Sequence, residues 1–598
     1  MLPRRLLIVL AIAALVAGAS KAVIITVDDD GGADYTNIRQ AIQNAADGDD
    51  IIVADGVYWG WRNTELSWDA HDKHLRIKSE NGPANCIIDC NLEARGSGDG
   101  DGDGRTQYLR AFQLDNGQTY QDVIDGFTIM YGRGKPDSFY ILETAGAGIY
   151  CSNTSPMILN CRIRHCKVTE PHMGDGGGIF IYGSATSVPT IKYCEITDCN
   201  AINGKGGGIY CTLGPYYPSI SDCQIERCSA REGAGIYCGG SPLETVAALR
   251  DCTIRNNKAD DYGGGVRCVG GQVVLTGCSI TGNESLGVGG GIAVDNATSF
   301  DVHRCTISDN IALSAGGIYC YGSSDYHSYL ANSYVGGNSY WQVKIWGVRD
   351  VYIDGCTFGG DGIYALLPTL HIGGCIFWGV SGYAILLADQ GPWGPGSAAT
   401  IDRCDIQDYP SSVIWDPRYS RLSAGGIITQ DPLFLDGVHL DPASPCVDAG
   451  GPSFLDGDID GMCRVVHGIP DMGADEQDCL ANSPGYEQQY ADFQLYKFYG
   501  SDPSCWCTSP CGSKYQCDGD GDGKTEGALK YRVFSKDLAV MESQWKKTIA
   551  EVTDPCADFD HKAEGALKYR VFTKDLDVLV ANWKKKDADL PGNCPRSE

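Results

Sequence analysis

The segment Gly206-Gly-Gly-Ile-Tyr-Cys211 decides how this chain is read, because it keeps returning. It recurs as Gly146-Ala-Gly-Ile-Tyr-Cys151, Gly176-Gly-Gly-Ile-Phe-Ile181, Gly233-Ala-Gly-Ile-Tyr-Cys238, Gly263-Gly-Gly-Val-Arg-Cys268, Gly289-Gly-Gly-Ile-Ala-Val294 and Ala315-Gly-Gly-Ile-Tyr-Cys320. Its aliphatic anchors, Ile149, Ile179, Ile209, Ile236, Val266, Ile292 and Ile318, lie 30, 30, 27, 30, 26 and 26 residues apart. Between anchors stands a second phrase, Cys-x-Ile, at Cys161, Cys194, Cys223, Cys252, Cys278 and Cys305. Each step therefore holds several short alternating strands divided by Gly, Asn, Asp or Ser turns, with no stretch of helical period inside it. Short strands at a constant period satisfy their backbone groups only by stacking on the next repeat. The expectation is an all-β solenoid, one coil per repeat.

The columns of such a stack can be followed in the sequence. Five residues after each Cys-x-Ile cysteine come Cys166, Cys199, Cys228, Asn257, Asn283 and Asn310, a column suited to a hydrogen-bonded turn ladder. Two residues after the anchors come Cys151, Cys211, Cys238, Cys268 and Cys320, on the anchors' own side by the strand period of two. They read as buried small hydrophobes. Disulfides between coils are the alternative, but direct stacking holds Cβ atoms too far apart for easy bridging.

These phrases resemble the right-handed parallel β-helix repeats of the pectin-lyase-like superfamily, especially its bacterial cell-surface members. The resemblance covers residues 23–430. Tyr35, Ile38, Ala41, Ile42 and Ala45 have helical spacing and resemble the helix that caps such solenoids. Asp431-Pro-Leu-Phe434, Ser444-Pro-Cys-Val-Asp-Ala-Gly450 and Asp471-Met-Gly-Ala-Asp-Glu476 resemble the closing phrases of the same proteins, so residues 431–478 read as a C-terminal cap.

Composition narrows the function. The 598 residues include 47 Lys+Arg against 76 Asp+Glu, a formal charge of −29, which argues against nucleic-acid binding. With 43% hydrophobic residues the chain is not disordered as a whole. Arg4 and Arg5, the apolar run Leu6 to Val16, and small residues at 17–22 read as a secretory signal over residues 1–22. No later segment is long and apolar enough to span a membrane, so the expected mature protein is secreted or held at a bacterial surface, where disulfides are permitted.

After a linker at 479–504 the composition changes. Glu526-Gly-Ala-Leu-Lys-Tyr-Arg-Val-Phe-Ser-Lys-Asp-Leu538 recurs as Glu564-Gly-Ala-Leu-Lys-Tyr-Arg-Val-Phe-Thr-Lys-Asp-Leu576, each copy followed by a stripe of helical spacing. Asp518-Gly-Asp-Gly-Asp-Gly523 sets three carboxylates on alternate residues, as a calcium loop does. The duplicated module, residues 505–598, resembles a divergent dockerin. The resemblance implies calcium on Asp518, Asp520, Asp522 and Asp537, a weaker second set at Asp558, Asp560 and Asp575, and a cohesin-like protein partner. Thr525 to Arg532 is inserted relative to the family loop, and Cys556 stands where the second copy's first Asp would fall. Asp99, Asp101 and Asp103 form a third acidic run, a calcium loop or a solvated turn. No organic cofactor is implied.

The superfamily contains polysaccharide lyases and glycosidases, but fold alone does not confer activity. The joint signature of its polygalacturonases, Asn-Thr-Asp, paired Asp and Gly-His-Gly, is absent. The residues after the anchors are expected to point outward, so Tyr150, Phe180, Tyr210, Tyr237 and Tyr319 form an aromatic ladder: a platform for sugar rings, or rings stacked on one another. Arg267 interrupts it, with Glu232, Asp260 and Asp261 in nearby turns, and is the candidate base of a lyase. The sequence thus points to a glycan-binding or structural stalk with an attachment module. A polysaccharide lyase or glycoside hydrolase acting on an acidic extracellular polysaccharide, and an adhesin, are the alternatives.

Overall fold

A computed structural model describes residues 22–476 except 92–108, 135–144, 169–173, 184–187, 213–217, 240–244, 297–298, 323–326, 390–395, 452–457 and 461–469. The 1–21 segment, the linker and the duplicated module lie outside the described residues. Within that range each coil contributes one strand to each of three long sheets. Sheet one has 15 strands, sheet two 13 and sheet three 12, and neighbouring strands belong to successive coils. Strand pairing is parallel throughout the three sheets. The Gly-x-Gly-Ile phrases build sheet three, as in Ile179–Tyr182 against Ile209–Thr212. The Cys-x-Ile phrases build sheet two, as in Arg162–Arg164 against Glu195–Thr197. Sheet one lies between them in each coil, and a shorter five-stranded sheet, from Lys167–Val168 to Glu284–Ser285, flanks the middle coils.

The triple-glycine phrase has a steric cause. Gly176 has φ of 72°, a left-handed conformation, and a Cβ on Gly178 would fall 2.6 Å from the Gly208 carbonyl oxygen of the next coil. The turns between sheets one and two also need left-handed residues. Asn160, Tyr193, Asp222, Asp251 and Arg304, each just before the Cys-x-Ile cysteine, have φ between 50° and 57°.

One continuous apolar core runs down the axis, from Ile38 and Val27 through the stacked isoleucines to Ile401 and Val413. All 20 described cysteines are buried free thiols, and no disulfide joins them. They serve the turns as well as the core. Cys199 and Cys228 donate to the carbonyls of Ile163 and Ile196, 3.6 and 3.8 Å away. Asn257, Asn283 and Asn310 donate from Nδ2 to the equivalent carbonyls of Ile225, Ile254 and Ile280 at 2.9–3.0 Å, and the asparagines also bond one another at 3.0 Å. Thiol and amide replace each other in that column because both are small donors aimed at one buried carbonyl.

The N-terminal helix is Ile38–Asn44, shorter than the spacing from Tyr35 to Ala45 predicts. Asn37 caps it, its Oδ1 accepting from the Gln40 amide at 3.0 Å, while Tyr35 pairs in extended conformation with the first strand. The C-terminal segment lies along the outer side of sheet two. Leu440, Cys446 and Met472 pack on Ile376, the Ala474 amide donates to Thr357 Oγ1 at 2.9 Å, and the Gly473 amide donates to the Gly374 carbonyl at 2.7 Å. Among the described residues no helix is long and apolar enough to cross a membrane.

Candidate functional site

The aromatic ladder of sheet three is present and in register. Tyr150 and Phe180 stack at 5.3 Å and 7°, Phe180 and Tyr210 at 4.9 Å and 2°, Tyr210 and Tyr237 at 5.3 Å and 2°. These separations nearly match the spacing of strands, so each ring lies flat on the next. The ladder is not an open platform. Tyr150, Phe180 and Tyr237 are buried, and Ala145 packs against the first two. The guanidinium of Arg110 lies over Tyr150 at 4.9 Å, and Lys205 Nζ sits 4.6 Å from the Tyr237 ring centre and 3.1 Å from its hydroxyl. Burial raises the phenols of Tyr150, Tyr210 and Tyr237 above their ordinary range. Ala293 separates half-buried Tyr319 from Arg267 and hence from the other rings.

Arg267 takes the place of a ring in that row and is only 5% exposed. It pairs with Asp295, lies 3.8 Å from Glu232 and stacks over Tyr262 at 4.7 Å. Glu232 is buried and held by Arg231 at 2.7 Å, and Arg231 reaches Asp261 at 3.3 Å. Asp260 is exposed on the neighbouring strand. The structure thus joins Arg267, Glu232 and Asp261 in one ion-pair network and leaves Asp260 apart from it. Asp99, Asp101, Asp103, Asp518, Asp520, Asp522, Asp537, Asp558, Asp560 and Asp575 lie outside the described residues.

A cavity of about 500 Å³ opens on the outer face of sheet one, and neither the ladder rings nor Arg267, Glu232, Asp260 and Asp261 line it. It crosses five successive strands, Ser299–His303, His327–Ala331, Asp350–Asp354, Thr369–Gly373 and Ala398–Asp402. Parallel register puts Asp301, Tyr329, Tyr352, His371 and Thr400 in one outward row. His303, Ala331, Asp354, Gly373 and Asp402 form the second. The C-terminal segment supplies a wall at Gly451, positioned by Arg403 Nη1 donating to the Gly450 carbonyl at 3.3 Å. In the first row Tyr329 and Tyr352 stack at 5.3 Å and 19°, and Tyr352 and His371 at 4.5 Å and 12°. In the second, Ala331 and Gly373 alternate with larger polar groups, which gives the cavity its depth.

The acid and base at one end are adjacent on a single strand. Asp301 Oδ2 accepts from Gln272 Nε2 at 2.5 Å, while its Oδ1 is buried with no hydrogen-bond partner. Desolvation raises its carboxyl above the ordinary range. His303 Nδ1 is likewise buried and unbonded, and desolvation, helped by nearby Arg304, lowers the imidazole so that it is neutral at neutral pH. Two partly desolvated proton-exchanging groups on one cavity wall are a known mark of functional sites.

These residues escape a search for motifs, but a positional signal for them exists. They stand four and two residues before the Cys-x-Ile column: Asp301 and His303 before Cys305, Tyr352 and Asp354 before Cys356, His371 and Gly373 before Cys375, Thr400 and Asp402 before Cys404. In earlier coils the same positions carry Met157 and Leu159, Thr190 and Lys192, or Ser219 and Ser221.

The family model for the right-handed beta helix region matches residues 62–225, 141–289 and 290–414, which together span more than half of the chain. The chain belongs to that family. Right-handed β-helix is therefore both its family and its observed architecture. Comparison with curated proteins gives no match. Among solved structures it is similar to pectate lyase Pel9A at 13% identity, over 77% of this chain and 98% of that one, with a TM-score of 0.32. It is similar to the A-module of the Azotobacter vinelandii mannuronan C-5 epimerase AlgE4 at 15% identity, over 67% and 100% of the two chains, TM-score 0.35. It is also similar to the PL6 family polysaccharide lyase Pedsa3628 from Pseudopedobacter saltans at 11% identity, over 66% and 90%, TM-score 0.32. Scores of this size carry no reaction across to this β-helix, whose chemistry rests on its own residues.

Proposed function

We propose that this β-helix is a carbohydrate-active protein whose sheet-one cavity holds a segment of polysaccharide. The carrying observation is the cavity itself, where the stacked Tyr329, Tyr352 and His371 run beside Asp354, Asp402 and His303 across successive coils. A repeating polymer suits a site that repeats with the strand spacing, and aromatic rings with a few convergent polar groups are the ordinary composition of ligand cavities. A glycan array followed by product analysis on each hit tests the reading. Binding that Tyr352→Ala abolishes supports it, and binding untouched by that change sinks it.

A second reading, cleavage of the bound glycan, is favoured by Asp301 and His303. A neutral imidazole on the same strand face as a partly desolvated carboxylate is suited to take a proton from a bound sugar. Chain shortening by the wild type that His303→Ala loses, with binding retained, would mark an enzyme. Unchanged chain length would mark a binding protein.

The chain's expected export and its duplicated tail complete the proposal: an extracellular protein tethered by a calcium-dependent module to a cohesin-like partner. The support is the N-terminal sequence and the Asp518-Gly-Asp-Gly-Asp-Gly523 run with its repeated phrase. Pull-down by the full chain with calcium but not with chelator is the expected result.

A further inference from the structure

We infer that the sheet-one cavity selects a cationic glycan, a polymer of amino sugars, over neutral sugars and over polyuronates. The inference rests on the cavity being the glycan site and adds the substrate's charge. The lining contains three carboxylates, Asp301, Asp354 and Asp402, with two histidines and no lysine or arginine. Of the basic residues at its edge, Arg304 adds its charge near His303, and Arg403 stands 3.4 Å from Asp402 and also bonds the C-terminal segment, so the lining acids are offset in part. His303 does not offset them further, since burial holds it neutral.

The spacing of the acids also matters. Asp354 and Asp402 share one outward row with Gly373 between them, two strands apart and so about 10 Å from backbone to backbone. Asp301 Oδ1 adds a buried acceptor without a donor in the companion row. An ammonium group on a sugar bound along the stacked rings meets the partly desolvated Asp301 at one end and the exposed Asp402 at the other, with Asp354 between them. A uronate there meets like charge and would need a cation to bridge it. The field of the whole chain, −29 in formal charge, draws a polycation in and repels a polyanion. The acid surplus that counts against nucleic acid thus has a positive use at this site.

The test is calorimetric titration of the full chain with three probes: a β-linked glucosamine oligomer, its fully N-acetylated counterpart, and an oligogalacturonate with calcium or with chelator. The glucosamine oligomer should bind about tenfold tighter than the acetylated one, with the preference shrinking as salt is raised. The double variant Asp354→Asn, Asp402→Asn should erase that preference. Circular dichroism melting of the variant checks that it folds. Tighter binding of the oligogalacturonate in either condition, or a preference that survives the double variant, overturns the inference. Binding of every probe unchanged in Tyr352→Ala overturns the cavity reading instead, and no binding of any probe overturns both.

Discussion

Sheets one and three each carry a run of stacked rings on the outer face, built by the same parallel register, yet only one run lines a cavity. On sheet three, Tyr150, Phe180, Tyr210 and Tyr237 occupy four successive coils and use their faces on one another, and all but half-buried Tyr210 are buried. On sheet one, Tyr329, Tyr352 and His371 occupy three coils, with Asp301 and Thr400 as row neighbours and Ala331 and Gly373 beside them. The contrast shows that an aromatic ladder in a solenoid is a packing device by default. It borders a cavity where small residues interrupt the adjacent row and a distant segment, here at Gly451, raises a wall.

The sharpest way to break the comparison is to delete one ring from each ladder. Phe180→Ala should cost about 3–5 kcal/mol of stability in the surrounding coils, seen as a lower thermal midpoint, with glycan binding intact. Tyr352→Ala should do the reverse, weakening binding about tenfold while the midpoint hardly moves. Equal effects on stability would mean that both ladders are structural.

A pH experiment sharpens the sheet-three side. Asp175 accepts from the Lys205 amide at 2.8 Å beneath the ladder, and desolvation pushes its carboxyl up to about 6. The native state then binds more protons than the unfolded chain, so stability is greatest below about 4 and declines as pH rises towards 6. Asp175→Asn should remove that decline, worth about 3 kcal/mol at most, from a plot of melting temperature against pH.

The smallest effect belongs to the C-terminal segment, which walls the sheet-one cavity at Gly451. Asp460 accepts from His439 at 3.1 Å and Asp436 holds the other ring nitrogen at 2.6 Å. The bond to Asp460, and then that to Asp436, raise the imidazole to about 10 against the desolvation that lowers it. Its contribution is fully present below pH 6.5 and is lost as pH rises towards 10. The ring is more than a third exposed, so His439→Gln should flatten that dependence by under about 1 kcal/mol. Hydrogen exchange in residues 431–451 is the measurement.

Much of this fold is legible because a solenoid's neighbours in space are neighbours in sequence one coil away. The anchors at Ile149, Ile179 and Ile209 predict pairings that the structure contains, and the Cys-to-Asn column predicts a turn ladder that it also contains. The candidate site was less legible. Tyr150, Phe180, Tyr210 and Tyr237 stand out in the sequence by their regularity, and regularity goes with mutual packing. Asp301, His303, Tyr352 and Asp354 break the pattern of earlier coils, so a search for repeats passes over them.

The sequence by itself determined the coil, the parallel register and the side of each strand that faces the axis, because period-two alternation and stacked isoleucines leave one packing. It also determined the acid surplus. Only the tertiary structure decided which outward row is covered and which is open. That outcome depends on a segment near Gly451 folding back on strands tens of residues earlier, and on how far each side chain is desolvated, and neither is a property of the repeat.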